Sequence, residues 1–154
     1  MAEWIAPDLP VAALSDEQIV VCTVYGEARA EPSEGQIAVA WVIRHRQQAK
    51  PGATLTGVCL APWQFSCWNP AGGAKNAAVV AALVRRMAAG EAITDPAAVQ
   101  TAFLVHGVLK GYLPDPVKGA THYHTVSLQP RPKWAQAIQP IAQKGSHLFY
   151  AGVK

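Results

Sequence analysis

Apolar residues recur along this 154-residue chain with helical spacing in four stretches, which predict helices over residues 16–29, 34–47, 74–89 and 96–110. Local signals mark several of their ends. Ser15 followed by Gln18, and Ser33 followed by Gln36, are Ser-x-x-Gln pairs able to cap a helix start. Asp95 before Pro96 sets a capping carboxylate next to a residue suited to the first turn. Gly90 supplies the left-handed conformation that commonly ends a helix. Tyr25 to Arg29 close the first helix, and Glu31-Pro32 breaks the chain before the second. That second helix is apolar nearly all round from Ile37 to Ile43, which predicts a buried centre around which the others pack.

Beyond Gly111 the spacing changes. Thr121 to Leu128 alternate as a strand does, His147 to Tyr150 supply a matching partner, and Gln129-Pro130-Arg131-Pro132 reads as the loop between them. Residues 1–14 read as an extended arm over the core. With no repeat, linker or low-complexity tract, the expectation is a single, mainly α (α+β) domain over residues 1–154 with a small β element near the C-terminus.

Composition narrows the class. With 51% hydrophobic and 15% charged residues the chain can bury a sizeable core, while 12 Pro and 12 Gly imply short helices joined by long ordered loops. No run approaches the roughly 18 apolar residues of a membrane span, and Met1-Ala2-Glu3-Trp4 lacks the basic-then-apolar start of a signal peptide, so a soluble protein made in the cytoplasm is expected. A net charge of +3 favours approach to anionic polymers without identifying one. Arg85-Arg86 is the densest basic pair in mid-chain and no basic run is interleaved with aromatics, which argues against nucleic-acid binding. Cys22, Cys59 and Cys67 are odd in number and lack C-x-x-C spacing; they read as buried thiols, with Cys59 and Cys67 the pair able to oxidise after export. No glycine-rich phosphate loop is present.

Candidate chemistry gathers at Glu27. It closes an apolar helix just before a bend, and a carboxyl group partly withdrawn from water has its ionised form disfavoured, which suits it to donating a proton near neutral pH. The plainer reading is a helix-end carboxylate paired with Arg29 or another cation. Gln64, Phe65, Ser66 and Trp68 follow Pro62 in a stretch too broken for a helix and offer amide, hydroxyl and aromatic groups that suit a sugar ring, although Phe65 and Trp68 read equally well as core. Tyr123, His124 and Trp134 are further candidates for substrate contact. His122 and His124 share one face of the predicted strand and, with His106 or His147, would make a zinc site of amidase or peptidase type. Two histidines alone are not a site. Cys22 lies inside an apolar helix, where a thiol stays protonated and is no nucleophile.

The segment Tyr25-Gly26-Glu27-Ala28-Arg29-Ala30-Glu31-Pro32, followed by Gly35-Gln36-Ile37-Ala38-Val39-Ala40-Trp41-Val42-Ile43-Arg44-His45-Arg46, resembles the SleB/CwlJ-type cell-wall hydrolases, spore-cortex-lytic enzymes with relatives among phage lysis proteins. Their pattern runs YGEARGEP, two residues, then GQxAVAxVxxNR, and this chain departs from it at Ala30 and His45. Gly57-Val58-Cys59 through Gln64-Phe65-Ser66-Cys67-Trp68 is similar to a second family block. Gly119 to His124, with Trp134 and His147 to Tyr150, is similar to a third. The resemblance implies a lysozyme-like, lytic-transglycosylase-like fold that cuts peptidoglycan glycan strands, with Glu27 as catalytic acid and with no cofactor or metal. It implies a monomer acting on the cell wall and, for a phage endolysin, release through a pore-forming partner. Glycosidases generally use two carboxylates, and the candidates for a second are Glu34, seven residues on but past the break at Pro32, and Glu31, Asp95 and Asp115. None stands out, which favours a lytic transglycosylase in which one glutamate serves as acid and base; a water-using muramidase and a non-catalytic glycan-binding module are the alternatives.

Overall fold

In a computed structural model, the structure describes residues 4–70 and 74–154. Helix α1 (Asp16–Ala28) starts on the expected reciprocal cap: Gln18 N donates to Ser15 Oγ at 3.2 Å and Ser15 N to Gln18 Oε1 at 2.9 Å. Every residue from Ile19 to Gly26 is buried, so α1 runs through the middle of the molecule. Helix α2 (Ser33–Ala49) was expected to be the buried centre, and Ala38, Val39, Ala40, Val42 and Ile43 are fully buried. It shares that place with α1, which packs against α2, α3 (Leu55–Leu60), α4 (Ala74–Ala88) and α5 (Pro96–Leu109).

The second expected cap is not made. Pro32 takes the N-cap position and Ser33 becomes the first helical residue, its hydroxyl accepting from Gln100 Nε2 at 2.8 Å. Gln36, only 3% exposed, turns inward: its Oε1 accepts from Thr101 Oγ1 at 2.7 Å and its Nε2 donates to Glu31 O at 3.2 Å. A buried amide without partners costs more than a helix cap returns, and α5 supplies a partner that local sequence cannot. Two other signals hold: Asp95 accepts from Ala97 N at the start of α5, and Gly90 takes φ +72° just past α4. Helix α3 was not foreseen; Thr54 caps it, accepting from Gly57 N at 2.9 Å.

Three short strands form an antiparallel sheet in the order β1 (His122–Thr125), β3 (His147–Tyr150), β2 (Ala142–Lys144). The expected pairing of β1 with β3 is present, in the register Tyr123 opposite Phe149 and Thr125 opposite His147. The first strand is shorter than expected because the chain turns after Thr125, and the connection holds α6 (Lys133–Gln136) and β2 as well as the 129–132 loop. Residues directly opposed in an antiparallel pair share a face. Tyr123, Thr125, His147 and Phe149 therefore occupy one face, and His122, His124, Leu148 and Tyr150 the other. Trp4, Ile5, Leu9 and Val11 of the N-terminal arm pack on the core, and a 3-10 turn at Val11–Ala13 interrupts its extended course; residues 1–3 of the expected arm lie outside the described residues. Among the described residues no helix is long and apolar enough to cross a membrane.

Candidate active site

Glu27 stands in the last turn of α1, half-buried, and each of its oxygens meets a donor from a distant part of the chain. Tyr123 Oη on β1 donates to Oε1 at 2.8 Å, and the Cys67 amide donates to Oε2 at 3.1 Å. The plainer reading, a pair with Arg29, does not hold: Arg29 Nη1 donates to the carbonyls of Gly26 at 3.3 Å and Tyr25 at 3.5 Å, closing the C-terminal end of α1. Asn76 Nδ2 donates to the same Gly26 carbonyl at 3.0 Å. Gly26 itself admits the Cys67 segment, since a Cβ there would lie 2.6 Å from both Cys67 Cβ and Val80 Cγ2. This contact brings the Cys67 amide within reach of the carboxylate.

An amide can only donate, so a proton carried by Glu27 belongs on Oε1, the oxygen that Tyr123 touches. A phenol donates to a carboxylate and accepts from a carboxylic acid, so both protonation states of Glu27 keep a partner. Burial, then the charge and hydrogen bond of Glu27, hold the Tyr123 phenol protonated well above its usual range. Its ring is packed by Phe149 and His147, with centroids 5.5 and 4.9 Å away.

Arg46 of α2 completes the surroundings. Its Nε donates to Thr121 O at 2.6 Å, its Nη1 to Gln64 Oε1 at 3.3 Å, and the guanidinium lies 4.9 Å over the Phe65 ring. Burial lowers its pKa, and the nearby Glu27 carboxylate opposes that effect. Farther out, Glu31 ties the α1–α2 turn to the β2–β3 turn, accepting from Ser146 N and Ser146 Oγ, both at 2.7 Å. Burial alone would raise the Glu31 pKa; the two Ser146 hydrogen bonds outweigh it and the value falls below the ordinary 4.5. His147 Nδ1 is 3.8 Å from Glu31 Oε1, too far for a hydrogen bond, and is a buried nitrogen without a hydrogen-bond partner among the described residues. Burial lowers the His147 pKa more than Glu31 and Glu27 raise it, so the ring is neutral at pH 7 and the contact with Glu31 is not a formed ion pair.

The other expected site residues separate into groups. Gln64 and Ser66 are exposed on the loop beside Arg46. Phe65 is 1% and Trp68 2% exposed, with Trp68 Nε1 donating to Thr23 Oγ1 at 3.1 Å; of the two readings of these rings, core packing holds and stacking on a sugar does not. His124 is corrected in the same way, being buried, with Nδ1 donating to Thr125 O at 2.7 Å and Nε2 at 2.8 Å from Tyr150 Oη. Trp134 packs edge-on against Tyr150, on the opposite face of β1 from Tyr123, so these two aromatics do not form one platform.

The possible second acids are engaged elsewhere or exposed. Glu34 is exposed in the first turn of α2, Asp95 caps α5 and accepts from Tyr25 Oη, and Asp115 accepts from Val117 N at 2.8 Å and meets His45 Nε2 at 2.7 Å. The zinc grouping does not assemble: His122 and His124 face away from His147, His106 pairs with Glu17 at 3.1 Å, and no cluster able to hold a metal occurs among the described residues. All three cysteines are buried and unpaired; burial pushes Cys22 and Cys59 up to about 12 and Cys67 higher still. Sequence reasoning missed the Cys67 amide and Arg46. A backbone donor leaves no side-chain signal, and Arg46 stood inside a recognised motif without an assigned role.

The family model for cell wall hydrolases matches residues 30–150. Among solved structures, the chain is similar to the catalytic domain of the germination-specific lytic transglycosylase SleB from Bacillus anthracis, with 26% identity and a TM-score of 0.61 over 94% of this chain and 98% of that one. The catalytic domain of the Bacillus cereus SleB protein shares the fold, with 24% identity and a TM-score of 0.56 over 97% of each chain. A spore cortex-lytic enzyme of Oceanobacillus iheyensis is 47% identical over 53 residues, which span 34% of this chain and 19% of that protein.

Proposed function

The chain belongs to the cell wall hydrolase family, and from that premise we propose that it is a peptidoglycan lytic transglycosylase that breaks the β-1,4 bond between N-acetylmuramic acid and N-acetylglucosamine, with Glu27 as acid and then base. The observation that carries this reading is the Glu27 carboxyl group held between Tyr123 Oη and the Cys67 amide. In the first step the Glu27 proton passes from Oε1 to the glycosidic oxygen, the bond from that oxygen to muramyl C1 breaks, and the glucosaminyl 4-hydroxyl departs. The muramyl 6-oxygen then attacks C1 while Glu27 takes the proton of the 6-hydroxyl. The product is a 1,6-anhydro ring, and Glu27 is protonated again. The nucleophile belongs to the substrate, so its positioning supplies part of the rate and no water needs activating.

The structural duties of Glu31, Asp95 and Asp115 support a single-acid mechanism over a water-using muramidase, and the exposed Glu34 is not assigned a catalytic role. Gln64, Ser66 and Tyr123 are the proposed substrate contacts, with Arg46 fixing the loop that carries the first two. Phe65, Trp68, His124 and Trp134 support the walls. The proposed working unit is one catalytic domain acting as a monomer. Digestion of purified sacculi, followed by borohydride reduction and mass spectrometry of the released muropeptides, tests this reading. Anhydro-muramyl ends are expected. Reducible muramic ends would indicate attack by water, and free peptides would indicate a different bond.

A further inference from the structure

Beside the Glu27 site lies an open groove of about 610 Å³, bounded by Arg46 and Lys50 at the end of α2, the 51–54 loop, and Val58, Ala61 and Gln64. Among the described residues, two cations line it and no carboxylate does. Lys50 alone would be explained as a cation complementing the C-terminal end of α2. Arg46 is half-buried and tied to Thr121 O, Gln64 Oε1 and the Phe65 ring, so the guanidinium that fixes the 64–66 loop is also held in place before any ligand arrives. Thr54 already serves as the cap of α3 and Gly52 takes φ +80° with open space around it, so the loop side of the groove is backbone and small side chains. Gln64 and Phe65, which Arg46 touches, are on the same loop as the Cys67 amide that holds Glu27. The groove is thus coupled to the place where a muramyl C1–O bond would be cut.

We propose that this groove binds the stem-peptide carboxylates of the muramyl residue being cleaved, so that the enzyme selects peptide-bearing glycan strands. The inference rests on the glycan-cleaving function proposed above. A muramyl residue carries its peptide on the lactyl ether of the same ring whose C1 reacts, and an extended chain advances about 3.3–3.6 Å per residue, so its second and third residues reach roughly 10 Å from the sugar. Those residues bear free carboxylates, which accept from the Nη hydrogens of Arg46 that Gln64 leaves unused and which the nearby Lys50 ammonium attracts as a point charge. The recognised chemistry is an oxyanion; a wall phosphodiester is the other source of one, and the stem peptide is favoured because it is carried by the same ring whose C1 reacts.

The test uses soluble glycan strands from a Gram-negative wall, which carries no teichoic phosphate, either with their peptides or stripped by an amidase. The ratio of kcat/KM on peptide-bearing over stripped strands is measured for the wild type, Lys50→Ala and Lys50→Glu. Lys50 is exposed, so neither change threatens folding. The wild-type ratio is expected to be about tenfold, to fall in Lys50→Ala and to approach one in Lys50→Glu, and free stem tripeptide is expected to inhibit better than poly(glycerol phosphate). An equal rate on both strands, an unchanged ratio in the variants, or stronger inhibition by the phosphate polymer would overturn the assignment while leaving the glycan-cleaving reading intact. A wild type that cuts neither strand would overturn both.

Discussion

Tyr123 Oη and Glu27 Oε1 meet at 2.8 Å although 96 residues separate them in the chain. The contact joins the end of α1 to β1, so the helical core and the small sheet set the position of the Glu27 carboxyl group together. Phe149 and His147 pack the Tyr123 ring independently of its hydroxyl. Tyr123→Phe is therefore expected to fold and to lose the one partner able to serve both states of Glu27. A hydrogen bond to a charged group is worth about 1.5–3 kcal/mol, which corresponds to a fall in kcat of about 10- to 100-fold. Circular dichroism with steady-state muropeptide release checks both parts of the expectation.

Gly26→Ala places a methyl group 2.6 Å from Cys67 Cβ and Val80 Cγ2. Overpacking of this kind costs about 1–3 kcal/mol, and relief requires the Cys67 segment to move off α1, carrying its amide away from Glu27. Denaturant unfolding should show the lost stability, and activity should remain reduced at temperatures where the variant is fully folded.

Glu31 is held below its ordinary 4.5 by Ser146 N and Oγ. A carboxylate with a depressed folded pKa contributes stability that is fully present above its unfolded value and is lost as pH falls through the folded one. Glu31→Gln should therefore destabilise the protein by about 1–3 kcal/mol at pH 7. The gap between variant and wild type should shrink as pH drops below 4.5. Unfolding midpoints measured from pH 7 to pH 3 would reveal this; a gap that does not change with pH would remove the charge from the explanation.

With Cys22 and Cys59 raised to about 12 by burial and Cys67 higher, hardly any thiolate exists at pH 8. Alkylation by iodoacetamide is expected to be at least about 100-fold slower in the native protein than in denaturant. After unfolding, all three cysteines should react.

The parts of this molecule legible in the sequence are those whose cause is local. Ser15 and Gln18 cap each other, Asp95 and Pro96 start α5, and Gly90 terminates α4, each within a few residues of its partner. The Ser33–Gln36 pair satisfies the same local rule and fails because Thr101, far along the chain, offers Gln36 a buried partner. Phe65 and Trp68 read as core or as sugar platform with equal weight, since ring hydrophobicity serves both; Thr23 Oγ1 decides it for Trp68. Short β2 carries no alternation to read, as Ala142-Gln143-Lys144 gains its structure from pairing with β3. His45, which departs from the family's asparagine, bridges Ala120 O and Asp115 at 2.7 Å each, tying α2 to the approach to β1. Glu27 stands out in the sequence as the candidate acid, whereas its two donors arrive from residues 67 and 123 and are found only in the fold.

The most direct measurement is the initial rate of glycan cleavage by Glu27→Gln beside the wild type on the same sacculi, with folding verified by circular dichroism. The substituted amide keeps an oxygen able to accept from the Cys67 amide or from Tyr123 but has no acidic proton to give, and acid–base catalysis by a positioned group contributes about 10²–10⁴-fold. A fall of at least about 100-fold, with anhydro-muramyl ends made by the wild type alone, is the expected result. A folded variant that retains activity within about tenfold of the wild type would contradict the assignment of Glu27 as the acid.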